Sequence, residues 1–555
     1  MKSKALLLTL AVLLASAFPF TTARSSTPPK VKVERVAQID SSNPQLAVSP
    51  DGQSVANVVR QGSRLAVAIN EKPGPTLDQI SFSETFVFSP DSKRHAYVGT
   101  KSGKRHLYVD GKPVAEVPFA NKEAFQFSLD GRRYALTLAT HLIVDGKSSP
   151  PYQRLEHFNF SADGRHYGYV ADGQAFADGK AISPPADPSK GRHGISPVQF
   201  TAKSGRFVYL RAVLMNRGAV QLFVGDKKGP KLEGTGSSVI LSEQGDHTAY
   251  SVSSPYPQKA RYVVDMRPEK EFIRVAAFRF NKDGTRWAYA AQAEGGYALV
   301  VNGKPVSMEY EHVRLLMFGP DQKTVFAVAR HAGKEFLLVD DKEYGPFIAV
   351  GNPAQRVWDE LAFSPDGKHY AFVETPDARS GLARLIVDGK PAGQAIGTKP
   401  RYLADGRLTY LVPDDRHSAQ WLMVGGKRAE FSTHRGVTFS PDGKHYAYVT
   451  AQTKGYFYVV DGKKLPHPTN LHVGVPPVFS PDGKHFAYAG PTLDRKGVQI
   501  YFDGQPVGPV LQQGVVSTGA RTGGNDHWFR FDAGGNLVVL VRQQGNVIDR
   551  ITVTP

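Results

Sequence analysis

The stretch Phe439–Val449, FSPDGKHYAYV, returns almost letter for letter as FSPDGKHYAFV from Phe363 and FSPDGKHFAYA from Phe479. A chain that repeats one short unit cannot bury a core with a single copy and must stack its copies against one another. Taking the first residue of this stretch as a marker, equivalents fall at Val48, Phe88, Phe127, Phe160, Phe200, Leu241, Phe280, Phe318, Phe363, Tyr402, Phe439, Phe479 and Phe531. These thirteen markers mostly stand about 40 residues apart. Worn copies, such as FNKDGTRWAYA from Phe280 and LSEQGDHTAYS from Leu241, keep the turn and the small-then-aromatic pair after it.

Within one unit Pro441, Asp442 and Gly443 specify a tight turn: proline presets φ, aspartate bonds its own backbone, and glycine tolerates φ > 0. The returning segment HYAYV places Tyr446 and Tyr448 on one face and His445, Ala447 and Val449 on the other. A strand apolar on both faces is covered on both. The small residue at Ala447, matched by Ala96, Ala135, Ala249, Ala288, Ala371 and Ala487, lets the adjoining sheet come close. A second hairpin signal follows later in each unit, as in YVDGKPV from Tyr108, LIVDGK from Leu142, VVNGKPV from Val300, LIVDGKPAG from Leu385 and VVDGKK from Val459.

Four strands of about five residues with their turns fill roughly 40 residues, and four-stranded sheets repeated radially are β-propeller blades. The fold class is therefore all-β. Single rings hold about four to eight blades, so thirteen units predict two propellers of six and seven four-stranded blades, residues 24–274 and 275–555. The segment VKVERVAQI from Val31 reads as a spare outer strand, and the last unit, Phe529–Val553, supplies only three. If these two pair, the termini close a ring together; otherwise each ring closes on itself.

The repeats FSPDGKHYAYV and FSPDGKHFAYA resemble those of TolB-like (WD-repeat-like) β-propellers, a resemblance that covers nearly the whole chain after its first residues. Similar repeats occur in the propellers of prolyl-oligopeptidase-type and tricorn-type peptidases. The resemblance implies a propeller and does not imply an activity, because such repeats serve unrelated functions. The namesake of the class is a periplasmic partner-binding protein with an α/β domain ahead of its propeller, and no such domain fits this sequence. A hydrolase domain of the peptidase kind does not fit either.

Lys2 and Lys4 precede an apolar run from Leu6 to Phe20, the layout of a secretory leader spanning residues 1–23. Ala15 and Ala17, or Thr21 and Ala23, suit a signal peptidase. Of the 555 residues none is cysteine, which rules out a lipoprotein anchor, disulfides and thiolate chemistry. No later run is apolar enough for a membrane helix. The expected location is periplasmic or secreted, at most peripheral to the envelope and not membrane-spanning.

Each Asp-Gly pair reads as a turn. A calcium loop needs oxygen ligands at alternating positions, and SPDGKHY offers one carboxylate before its glycine; the sialidase-type Asp box separates Asp from Gly by one residue. His166, His247, His369, His445 and His485 share one position just after the turn and read as caps of strand starts, since equivalent points on a ring do not converge. A channel-mouth set, His312, Trp358, His434, Arg435, His472 and His527, lies ahead of the innermost strands, where neutral imidazoles can hold a divalent metal. That arrangement resembles an oligogalacturonate-lyase-type propeller. No G-x-S-x-G elbow, H-E-x-x-H pair or phosphate loop is present, no cofactor is read, and the glycine-rich Ser517–Trp528 segment reads as an insertion.

The two Asp-Gly hairpins of a unit turn on one rim of the ring, pairing Asp with Lys as in Asp442 with Lys444 or Asp388 with Lys390, so charge there largely cancels. The opposite rim varies in length and content, and variable loops on a rigid scaffold commonly carry function. It holds Arg60, Arg64, Lys101, Lys104, Arg105, Arg217, Arg379, Arg416, Arg495 and Lys496, and with them much of the excess behind a formal net charge of +17. The reading is a non-enzymatic scaffold that binds an acidic protein surface or an anionic envelope polymer. Nucleic acid is not expected, because the leader directs the chain away from it. The alternative is a metal-dependent envelope enzyme, a lyase or hydrolase of an acidic polysaccharide, with its site at a channel mouth.

Overall fold

The computed structural model describes residues 28–39, 45–118, 123–185, 193–213, 218–255, 257–307, 310–347, 361–374, 382–396, 399–413, 420–433, 437–452, 455–469, 475–492, 497–511, 529–543 and 546–555. The expected leader at 1–23 lies outside them. Among the described residues no helix is long and apolar enough to cross a membrane.

Among the described residues the strands form thirteen antiparallel sheets, arranged as the blades of a β-propeller, and every marker residue ends an innermost strand. In the eleventh blade Thr438–Phe439, Tyr446–Gln452, Gly455–Val460 and Lys463–Thr469 lie side by side in chain order, in register Phe439↔Tyr446, Ala447↔Val460 and Val460↔Lys463. In the second, fifth and sixth blades the innermost strand is broken in two, as where Gln79–Ile80 and Val87–Phe88 both pair with His95–Lys101. A single helical turn, Phe82–Thr85, bridges that break.

The alternation of the second strand is used on both faces. Tyr446 and Tyr448 pack with Leu403, Leu411 and Leu422 of the tenth blade, while Ala447 and Val449 meet Phe479, Phe486 and Tyr488 of the twelfth. Ala96, Ala135, Ala249, Ala288, Ala371, Ala447 and Ala487 are all fully buried, because a methyl group there leaves room for the aromatic ring of the next sheet. Burying each such ring stabilises the stack by about 1.5–3 kcal/mol. The hydroxyls of Tyr209 and Tyr448 reach back to the preceding blade, donating to the carbonyls of Ile182 and Phe431 at 3.0 Å each.

The spare N-terminal strand and the three-stranded last unit complete one another. Lys30–Gln38 lies outermost in the thirteenth blade, paired with Val547–Thr554 from Lys30↔Thr554 to Arg35↔Asp549 and, past a register shift, to Gln38↔Val547. Val36, Ala37, Ile39, Leu540 and Ile548 of this blade share an apolar cluster with Val55 of the first. Asn57 Nδ2 donates to the Gln38 carbonyl at 2.8 Å, and the Arg550 guanidinium donates to the Gln53 carbonyl and, at 2.9 Å, to Glu34. The thirteenth blade thus packs on the first.

At the expected division near residue 275 the apolar packing runs on without interruption. Ala249, Tyr262 and Val264 of the sixth blade are clustered with Phe278, Tyr289 and Ala291 of the seventh.

Candidate functional site

Each blade has two chemically distinct ends. On the hairpin rim of the eleventh blade the fully buried Ser440 donates its hydroxyl to Asp442 Oδ1 (2.5 Å) and accepts the His445 N–H (2.9 Å). That one hydroxyl closes the first turn. Asp461, the aspartate of the second hairpin, accepts the Tyr446 N–H through Oδ1 at 3.0 Å and lies 2.8 Å from His445 Nδ1 through Oδ2. Its backbone sits at φ 47°, followed by Gly462 at φ 81°, the left-handed pair that two-residue hairpins favour. One residue therefore sets the second turn and straps it to the first, which fixes both hairpins on the same rim.

The strap recurs as His166–Asp178 (2.7 Å), His247–Asp265 (2.6 Å), His369–Asp388 (2.7 Å) and His485–Asp503 (2.7 Å). Arg94 and Arg133 stand in for histidine in the second and third blades, donating Nε to Asp110 (2.9 Å) and Asp145 (2.8 Å). All five histidines thus lie at strand starts as expected, each held by an aspartate. The expected Asp388–Lys390 pairing gives way to His369 and the Tyr370 N–H, which take both carboxylate oxygens. Lys444 and Lys484 do stand near their turn aspartates, at 3.7 Å from Asp442 and 3.3 Å from Asp482.

The buried serines tune these carboxylates. The Ser480 hydroxyl, helped by the Lys484 N–H, lowers Asp482 to about 2. Ser89, Ser128, Ser161 and Ser364 hold Asp91, Asp130, Asp163 and Asp366 below the ordinary value for the same reason. Asp503 goes the other way, because burial outweighs its bond to His485. The serine was not singled out in the sequence, although its recurrence directly after the marker was the available signal.

The loop rim is different. Arg60 is the penultimate residue of the strand Val55–Gln61 and Arg64 opens Arg64–Ile69. In the next blade Lys101 ends His95–Lys101 while Lys104 and Arg105 begin Lys104–Val109. Lys101 stands directly opposite Lys104, and Arg105 opposite Thr100. Arg64 Nε lies 3.6 Å from Asp78, whose other oxygen accepts the Ser102 N–H at 2.6 Å, so one carboxylate ties the two loops together. Lys104 reaches Glu116 at 3.2 Å, with both side chains more than half exposed. Arg60 and Lys101 are exposed and form no ion pair with a described residue. The structure therefore brings Arg60, Arg64, Lys101, Lys104 and Arg105 onto neighbouring loops of the first two blades. Arg217, Arg379, Arg416, Arg495 and Lys496 lie outside the described residues.

Of the channel-mouth set only His312 is described. It is exposed at the start of the innermost strand His312–Phe318, opposite Arg330 and edge-on to Tyr297 with ring centroids 5.7 Å apart. Trp358, His434, Arg435, His472 and His527 lie outside the described residues. Among those that are described, no group of three or more His, Asp or Glu side chains is placed to hold a metal ion.

No family model and no curated protein sequence matches this chain. Solved structures similar to it include β-propeller domains. TolB from Acinetobacter baumannii is 15% identical over 57% of this chain and 78% of its own, with a TM-score of 0.20. The β-propeller domain of the Trilobed protease from Pyrococcus furiosus is 11% identical over 49% and 96%, with a TM-score of 0.23. The β-propeller domain of Cps50 (Swd1) from Myceliophteria thermophila is 10% identical over 53% and 94%, with a TM-score of 0.22. The propeller fold itself is read from the sheets of this structure.

Proposed function

We propose that this protein is an exported, non-enzymatic scaffold that binds an acidic protein surface or an anionic envelope polymer through its loop rim. The observation that carries the reading is the Lys101–Lys104 pair. Two like charges directly opposite one another across a turn destabilise a hairpin, and only one of them has a carboxylate in reach among the described residues. Arg60, Arg64 and Arg105 add charge to the same patch, whereas on the hairpin rim Arg94, Arg133, Lys444 and Lys484 each stand beside an aspartate of their own blade. A partner that brings negative charge relieves that repulsion, and long-range attraction speeds the encounter.

The test is affinity capture of the mature protein from extract of its own envelope, with and without the substitutions Arg60→Glu, Lys101→Glu and Lys104→Glu. The parent is expected to retain a partner that salt releases and the reversed variant to retain little of it. An equal catch from both proteins would refute an electrostatic loop-rim site.

A further inference from the structure

We propose that the N-terminal strand Lys30–Gln38 is a self-pairing edge, through which two copies of this chain join antiparallel across a twofold axis at Val33. Outermost strands present unpaired backbone groups, and propellers must protect them. The other twelve blades do so visibly. Six have outer strands of two residues, such as Lys72–Pro73 and Lys304–Pro305. Longer ones carry proline, a register shift or both, as in Lys463–Thr469 with Pro466 and Pro468, Gln505–Leu511 with Pro506 and Pro509, and the shifted Lys427–Thr433. From Lys30 to Arg35 the N-terminal strand has none of these devices: six residues in unbroken register on one side and, among the described residues, no strand on the other.

Its side chains match the backbone opportunity. Val31 and Val33 are 39% and 48% exposed and point to one face, two of the four large apolar residues left exposed in the described structure. Lys32 and Glu34 occupy the opposite face, 2.7 Å apart. A twofold axis through Val33 sets Val33 against its own copy and Lys32 opposite Glu34 twice, and opposite charges facing across strands stabilise a sheet. Moving the axis to Lys32 or to Glu34 would put like charges face to face. Charge therefore selects one register, and the occupant that satisfies it is a second copy.

The experiment is sedimentation of the mature protein over a concentration series, with Lys32→Glu, Glu34→Lys and Val33→Lys variants and an equimolar mixture of the first two. The parent is expected to dimerise. Lys32→Glu makes both charged pairs repulsive and should raise the dimer dissociation constant roughly tenfold or more. Val33→Lys, at an exposed position, should do likewise without moving the melting temperature. Mixing Lys32→Glu with Glu34→Lys restores complementarity, so the mixture should associate where each variant alone does not. A monomeric parent at every concentration, or dimers indifferent to Lys32→Glu and Val33→Lys, would overturn the proposal. So would failure of the mixture when both variants keep the parent's circular dichroism.

Discussion

His445 and Asp461 meet at 2.8 Å on one rim of the eleventh blade, and through that contact two turns separated by a complete pair of strands are held as one unit. Asp461 also receives the Tyr446 N–H. Asp461→Ala should lower unfolding stability by about 1–3 kcal/mol, since two bonds to a charged acceptor are lost. Asp461→Asn should cost less. Asn302 already caps the Trp287 N–H in the same way in the seventh blade, at 3.0 Å. Denaturant midpoints of the two variants check the order.

The serine–aspartate turns give acid sensitivity a definite sign. Asp482 and its equivalents are lowered in the fold, so their contribution is fully present above the ordinary carboxylate value of 3.8 and is lost as pH falls toward about 2. Melting temperatures measured downward from pH 5 should fall through this window. Ser480→Ala, which removes the largest cause of the Asp482 shift, should shallow that fall.

Burial acts oppositely on the tyrosine ladder. Tyr209 and Tyr250 are pushed up from 10.0 to about 12 by desolvation. An unfolded chain sheds these protons sooner than the folded one, so stability should decline as pH rises from 10 toward 12. Ultraviolet titration of tyrosinate should show ionisation arriving together with loss of the fold. Early ionisation in a still-folded protein would contradict the packing.

Gly483 has φ 72°, and a methyl group there would strike the Asp442 carboxylate of the preceding blade. Gly535 has φ 81° with nothing within 4 Å. Alanine at Gly535 should cost only the left-handed backbone penalty, about 1–2 kcal/mol, and alanine at Gly483 clearly more. Thermal melts of the two variants isolate the inter-blade term.

The pairing of Lys30–Gln38 with Val547–Thr554 crosses any partition of the chain at residue 274, including the proposed one into rings of six and seven blades. Residues 275–555 expressed alone lack the outer strand of their last blade and should be poorly soluble. Co-expression with 24–274 should rescue them, and copurification of the two fragments is the readout.

The blades were legible because their determinants are local. A proline–aspartate–glycine turn, an alternation over five residues and a second aspartate–glycine turn are written within one unit, and all thirteen markers end innermost strands. That the spare segment from Val31 and the three-stranded last unit pair was one of two closures the sequence left open, and the register from Lys30↔Thr554 decides it. What could not be read spans units. Gly483 is needed for its turn, but its tight approach to Asp442 depends on a residue about 40 positions earlier and on how sheets stack. Ser440 was passed over in the sequence, and its burial is what makes it the centre of that turn. On the loop rim, Lys101 and Lys104 were identifiable as basic, but their direct opposition depends on register, which no count of charges supplies.

Because Lys30 stands beside Thr554 in the closing sheet, the beginning and the end of the described polypeptide are next-door neighbours. A short linker across that gap, with a new opening cut in any surface loop, should give circularly permuted proteins of the same shape. No blade is privileged as the first, and lengthening or shortening such an assembly by one unit requires only that the shared sheet still find both its halves.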